Sequence, residues 1–339
     1  MISRRLFVGL ALADAALAAC GRETAEEGPA ETGVVRFSVL SFESRPATSS
    51  DWKPIVDDME RSTGLRVAVS FVASEATVID AMRSRRTDLS WLSNQSALQA
   101  VRRADAEVFA RAAPRLGDEG DHSILIVSGK SKLSLDRVLK CDRTLTLGLG
   151  ETLSTAANLT LETYLFASRG ISPAQCFRQV SSGDFEATLA ALAAGRLDVA
   201  ATSSGRLDAS RRKARSVARE VREIWRSPAL PESPLVWRRD LDPAIKEKLR
   251  QFFLTYGQDD TAKAAEQREN LARIGLGGFA PADDSHLVAT REMEATHLWL
   301  AAKQSGDKVR IVESRRALDA ITAERLELEA RTGAPAAAQ

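Results

Sequence analysis

Histidine and cysteine are scarce in this chain, with three of each among 339 residues. His122, His286 and His297 are scattered, and no cysteine falls at CxxC or Cys/His ligand spacing. Metal and thiol redox chemistry therefore have no constellation to work from. The familiar catalytic spacings are missing too: no G-x-S-x-G elbow, no phosphate-binding P-loop and no H-E-x-x-H pair occurs. Carboxylates are numerous, yet no two stand at a spacing that singles out an acid and a base. No period of 20–50 residues recurs, which excludes a solenoid. After residue 20, no apolar run reaches the length of a membrane-spanning helix. These absences point away from an enzyme and give no reason to expect a metal or cofactor.

The N-terminus carries the first positive signal. Ser3-Arg4-Arg5 is a short basic start, and Leu6 to Ala16 is an apolar core interrupted by Asp14. Leu17-Ala18-Ala19-Cys20 follows, small residues ending in a cysteine. The run is too short to span a bilayer and has the flanks of an export signal. Its ending is similar to the lipobox of bacterial lipoproteins, which implies a lipid on Cys20 and residues 1–20 as signal peptide plus anchor. Ser3-Arg4-Arg5-Leu6-Phe7 also resembles a twin-arginine export motif. Residues 21–33, rich in Glu, Gly, Ala, Pro and Thr, read as a flexible tether. Removing residues 1–19 takes away two Arg and one Asp and leaves 45 basic and 45 acidic residues. A neutral exported chain lacks the electrostatic footprint of a nucleic-acid binder. The expected location is outside the cytoplasm, in the periplasm or at the cell exterior, with the membrane reached through lipid only.

With Cys20 lipidated, Cys141 and Cys176 form an even pair in an oxidising compartment. A disulfide and two buried free thiols both fit.

The remaining length suggests about two domains. Val34 to Leu40 reads as a buried strand. Ser50-Asp51 reads as the cap of a helix with Trp52, Ile55, Val56 and Met59 on one face and Gly64 at its end. Val67, Val69 and Phe71 alternate as in a strand, a helix follows over 75–84, and 88–92 reads as another strand. Strand–helix–strand–helix–strand is the pattern of a mostly parallel sheet covered by helices. The pattern restarts with strands at 123–127, 145–148, 177–180 and 197–201 and helices running to 169 and over 186–194. Two serial α/β units imply two lobes with a cleft between them, and ligands bind such sheets at the carboxyl ends of the strands. A last helix spans 308–331, with Ile311, Leu318, Ile321 and Leu328 on a thin apolar stripe. It either packs on its own body or makes a homodimer contact.

The best local signal is Gly148-Leu149-Gly150-Glu151-Thr152-Leu153-Ser154-Thr155-Ala156, which follows a strand and opens a helix. Helix N-termini expose unpaired N–H groups and partial positive charge, so they hold anions without Lys or Arg. Ser154 and Thr155 add two hydroxyls there. The same residues also serve plain N-capping.

A family likeness rests on several segments taken in order: Trp52-Lys53-Pro54-Ile55 with Asp58-Met59-Glu60, Ala81-Met82-Arg83, Asp88-Leu89-Ser90-Trp91 with Asn94-Gln95-Ser96-Ala97, Ser123 to Val127, Ser154-Thr155, Leu197 to Ala200, Ile224 to Pro228 and Pro234 to Arg238. On these the chain resembles the periplasmic phosphonate-binding proteins of bacterial ABC transporters. The resemblance implies an α/β, two-lobed periplasmic binding protein of type II-like fold with two crossover strands. Lobe 1 would be 34–120 plus 233–300, lobe 2 would be 121–232, and 301–339 a C-terminal helix and tail. It implies a solute-binding protein whose partners are a small oxyanion such as phosphonate and the ABC permease subunits.

Ser154 and Thr155 match the family's phosphonate-gripping turn, whose third hydroxyl is replaced by Ala156. Phe185, followed by Glu186, stands where the family has a ligand-facing histidine. Glu75 and Leu92 fall at two tyrosine positions, and Gly205 and Ser233 near two acidic ones. A charge-assisted hydrogen bond contributes about 1.5–3 kcal/mol, so loss of a serine and a histidine weakens the grip by tens- to thousands-fold. A carboxylate at Glu75 facing the cleft would repel a dianion. The alternatives are a less charged ligand on the same scaffold and a surface receptor subunit serving a sensor.

Overall fold

In the computed structural model the described residues are 33–40, 45–72, 74–115, 120–212 and 217–332. The export segment, Cys20 and residues 21–32 of the tether lie outside them. The first stretch runs β1 (Val34–Leu40), α1 (Arg45–Thr63), β2 (Arg66–Val72), α2 (Glu75–Arg83), β3 (Leu89–Trp91), α3 (Asn94–Arg103) and β4 (Ala106–Ala113). The chain then enters β5 (His122–Ser128), α4 (Leu135–Val138) and β6 (Thr146–Leu149). Two π-helical pieces follow, Thr155–Thr160 and Glu162–Phe166, then α5 (Pro173–Cys176) and β7 (Gln179–Ser182). After α6 (Phe185–Ala193), β8 (Val199–Ser203), α7 (Ser204–Arg212) and β9 (Val221–Ala229), it returns through β10 (Pro234–Arg238). The last elements are α8 (Pro243–Thr255), α9 (Ala262–Arg273), β11 (Gly278–Pro281), α10 (Val288–Ser305) and α11 (Lys308–Thr332).

Two sheets organise two lobes. The first has order β11-β4-β10-β3-β1-β2 and the second β7-β6-β8-β5-β9. The chain passes between them twice, from β4 to β5 and from β9 to β10, so the two-lobed fold with two crossovers is the one adopted. The expectation of mostly parallel sheets needs correction. Only β1–β2, β1–β3, β6–β7 and β6–β8 pair parallel, while β10, β4, β11, β5 and β9 join antiparallel. Strands β5 and β10, which receive the chain after each crossover, run opposite to both of their neighbours, and β11 is reversed against β4. A second correction concerns α1, which begins at Arg45, so Ser50 and Asp51 lie inside it rather than at its cap.

Alternation along β1 buries Val35, Phe37 and Val39 against Trp52, Ile55 and Met59 of α1 and Phe253 of α8. Phe109 of β4 and Trp237 of β10 stack with centroids 3.8 Å apart. On the other face of this sheet, Val78, Ile79 and Met82 of α2 pack with Leu92, Leu98 and Val236. Each fully buried side chain of this size contributes roughly 1.5–3 kcal/mol, so each lobe holds its own shape. Asp88, buried just before β3, binds Arg36 (2.8 Å) and Arg238 (2.9 Å) and ties β1 to β10. Burial opposes its charge, but the bonds from Arg36 and Arg238 hold its carboxyl below the ordinary range.

In the second lobe Cys141 and Cys176 form a disulfide. Each stands shortly before one of the neighbouring parallel strands β6 and β7, whose starting ends lie together. Gly306, with φ of 72°, turns α10 into α11. The pair is clamped by Arg291–Glu324 (2.6 Å) and Arg325–Glu292 (2.5 Å). On the stripe of α11, Leu318 is buried and Ile311, Ile321 and Leu328 are half-buried, while Val309, Val312 and Leu326, off the stripe, are exposed. Helix α10 also touches the second lobe, where Thr163 Oγ1 lies 3.5 Å from Met293 O and His297 meets Glu162 (3.1 Å).

Candidate functional site

The described residues Gly33 onward form one compact unit, and a cleft of about 610 Å³ lies between its sheets. One wall is the turn after β6. A methyl group at Gly150 would stand 2.6 Å from Ala157 Cβ, so only glycine lets the helix start this close to the strand end. Asn158 Nδ2 donates to Gly150 O (3.2 Å) and pins the turn. Ser154 is the N-cap of the π-helix, its hydroxyl accepting from Ala157 N–H (3.2 Å). Thr155 Oγ1 accepts from Gln95 N–H (2.8 Å) on the facing wall. A hydroxyl that accepts still carries a proton to donate, so capping and anion binding are compatible at both residues. The wide π-helical turn that follows is a form often found at functional sites.

The facing wall is made by the N-termini of α2 and α3. Ser93 caps α3, accepting from Ser96 N–H (3.3 Å). Its hydroxyl also lies 3.1 Å from Leu153 O, across the cleft. Ser74, the N-cap residue of α2, makes no side-chain cap. There the Glu75 N–H bonds the Glu151 carboxylate of the opposite turn. Three contacts thus join the 151–155 turn to two helix N-termini of the other lobe.

Glu75 is only 4% exposed. Its carboxyl meets Ser96 Oγ (2.5 Å), Ser93 Oγ (3.1 Å) and Ser93 N–H (3.2 Å). Burial raises its pKa to about 7 against these hydrogen bonds, and the nearby Glu151 charge adds to the rise. Burial likewise raises Glu151. The floor is formed by Phe185, with the Arg206 guanidinium 5.2 Å over its ring. Burial lowers the Arg206 pKa, while Glu75, Glu151, Asp184 and Glu186 act to raise it. At the start of α7 the Asp121 carboxylate accepts from Gly205 N–H (2.9 Å).

Ser154, Thr155, Ala156, Glu75, Leu92, Phe185, Glu186, Gly205 and Ser233 all line this one cleft. Leu92 is 1% exposed and belongs to the apolar cluster under α2 and α3. Glu75 does face the cleft, but its carboxyl is turned onto the α3 N-terminus and its charge is weakened at neutral pH. The residues that sequence reasoning missed are Ser93, Glu151, Asp121 and Arg206. Three adjoin positions already singled out, and the fourth, Glu151, lies inside the Gly148–Ala156 turn. Spacing gave no sign of which of them point inward. The histidines stay apart: His122 Nδ1 bonds Ser227 O, His286 Nε2 bonds Glu232 O, and His297 meets Glu162. Among the described residues no group of three His, Cys, Asp or Glu could hold a metal ion, and no helix is long and apolar enough to cross a membrane.

Residues 37–287 match the family described as the periplasmic substrate-binding protein of phosphonate ABC transporters. The phosphonates-binding periplasmic protein of Escherichia coli K12 is 34% identical over 260 residues, covering 76% of this chain and 75% of its own. The crystal structure of the binding protein component of an ABC phosphonate transporter from Pseudomonas aeruginosa superposes with a TM-score of 0.78. It is 31% identical, and the match covers 88% of this chain and 98% of that one. A Prochlorococcus marinus protein solved with methylphosphonate shares the fold, with a TM-score of 0.67 and 17% identity over 77% of this chain and 97% of its own.

Proposed function

This chain belongs to the family of periplasmic substrate-binding proteins of phosphonate ABC transporters, and from that premise we propose how its own cleft takes a ligand. It is a periplasmic binding component, not an enzyme. The ligand is a phosphonate or related small oxyanion, held by the Ser154 and Thr155 hydroxyls and the Ala156 N–H. The observation that carries this reading is the convergence of that turn with the α2 and α3 N-termini around a single cleft. Such N–H groups and hydroxyls stabilise an anion in a site that water leaves on closure. The loaded protein is delivered to the permease subunits of the importer.

A second reading keeps the scaffold and changes the ligand to a less charged molecule. It is favoured by apolar Leu92 and Phe185 and by the carboxyls of Glu75, Glu151 and Glu186 lining the same cleft. Calorimetry with methylphosphonate, phosphate, sulfate and neutral small molecules separates the two. Micromolar or tighter binding of a phosphorus oxyanion supports the first, and binding of a neutral compound alone replaces it with the second.

Two further points belong to the proposal. Cys20 carries a lipid that anchors the protein to the membrane. Two copies pair through the exposed apolar side chains Val309, Val312 and Leu326 of α11. Sedimentation of the unlipidated protein tests the pairing, and a monomer at all concentrations removes it.

A further inference from the structure

The hydroxyl of Ser93 has one proton and two lone pairs. One lone pair accepts from Ser96 N–H. Two other oxygens stand at 3.1 Å: Glu75 Oε2 in its own lobe and Leu153 O across the cleft. With Glu75 ionised, both oxygens are pure acceptors and the single proton serves only one. Either the cross-cleft bond or the bond to the buried carboxylate then goes unmade. With a proton on Oε2 the conflict disappears. Glu75 donates to Ser93, Ser93 donates to Leu153 O, and every proton and lone pair of that hydroxyl is used.

We propose that Glu75 is a positioning residue of the ligand cleft that acts as a neutral carboxylic acid, relaying a hydrogen bond through Ser93 to Leu153, so that closing on an anion takes up one proton from solvent. The inference rests on the reading that the cleft closes on an oxyanion. Neutral Glu75 both completes the cross-cleft relay and removes a like charge from the ligand's surroundings. The charged groups that face it act in opposite directions. Glu151, on the opposing turn, disfavours ionisation. Arg206 of α7 favours it, but Arg206 also interacts with Glu151 and with Asp184 and Glu186 beside and on α6. From α3 only hydroxyls and N–H groups reach the carboxyl, through Ser93 and Ser96. The proton affinity given by burial, about 7, lets this group change state near neutral pH.

The test uses the mature chain and Glu75→Gln, which fixes the neutral form. Its amide oxygen can take the Ser93 N–H while its NH₂ group faces the two serine hydroxyls. Methylphosphonate and inorganic phosphate are titrated by calorimetry at pH 8, where Glu75 of the free protein is mostly ionised, in two buffers of different ionisation enthalpy. The parent should take up close to one proton more per ligand than Glu75→Gln. From pH 5 to 8.5 its affinity relative to the variant should fall about thirtyfold. Equal proton uptake and parallel pH profiles overturn the proposal. If neither probe binds, the oxyanion reading fails, and small-angle scattering of the unliganded proteins still decides the relay. More open parent at pH 8.5 than at pH 6, with Glu75→Gln unchanged, supports it. Identical scattering of both proteins at both pH values refutes it.

Discussion

Replacing Glu75 by Gln should stabilise the protein at alkaline pH and leave it nearly unchanged in acid. The carboxyl is 4% exposed, and burial lifts its pKa from about 4.5 to about 7. Because the folded form holds its proton more tightly than the unfolded form, stability is fully present below pH 4.5. It is lost as pH rises toward 7 and levels off above it. A shift of this size corresponds to about 3 kcal/mol at the plateau, at 1.36 kcal/mol per unit. The Gln side chain can keep the three contacts to Ser93 and Ser96, so the variant behaves like the neutral parent at every pH. Urea unfolding followed by tryptophan fluorescence, at pH 4.5 to 8.5, gives the difference directly. Glu151 and every other titrating group remain in both proteins and largely cancel. The expected difference is under about 1 kcal/mol at pH 4.5 and about 2–3 kcal/mol in favour of Gln at pH 8.5. A difference that is flat with pH would show that Glu75 ionises freely, and the account of its burial would be wrong.

Unfolding the purified, unreduced protein should expose no titratable thiol from Cys141 or Cys176. Reducing their bond, which closes a 35-residue separation, should cost roughly 3–4 kcal/mol. Two reactive thiols before reduction would contradict the bonded pair. Cys20→Ser should release the protein from membranes or stall its processing, and membrane association and mass identical to the parent would rule out the lipid anchor.

Much of the architecture was legible because periodicity reports local structure. Phe37, Val67 to Phe71 and Met59 lie on faces that alternation and helical spacing already marked. The 106–113 and 278–281 strands are not legible in the residues, because Ala-rich Ala106–Ala113 and the short Gly278–Pro281 carry little pattern and gain their place by pairing, the first with β10 and the second with the first. Strand direction was misjudged for the same reason: it depends on where the chain crosses between lobes, not on the residues of any one strand. In the site, the Gly148–Ala156 turn was visible as a strand–turn–helix junction. Ser93 and Arg206 were not, since their roles depend on a partner 60 residues away and on a ring in another helix. Glu75 was legible as a charge in the cleft, but its burial against Ser96 belongs to tertiary structure.

The central claim is that Ser154 and Thr155 grip an oxyanion, and the double variant Ser154→Ala/Thr155→Ala tests it most directly. Both substitutions keep the backbone N–H groups and the helix dipole and remove two hydroxyl donors. Methylphosphonate and phosphate titrated into parent and variant, with folding verified by thermal melting, give the free-energy difference. A loss of roughly 2–5 kcal/mol of binding is expected. An oxyanion that binds the folded variant as tightly as the parent would place the grip elsewhere in the cleft.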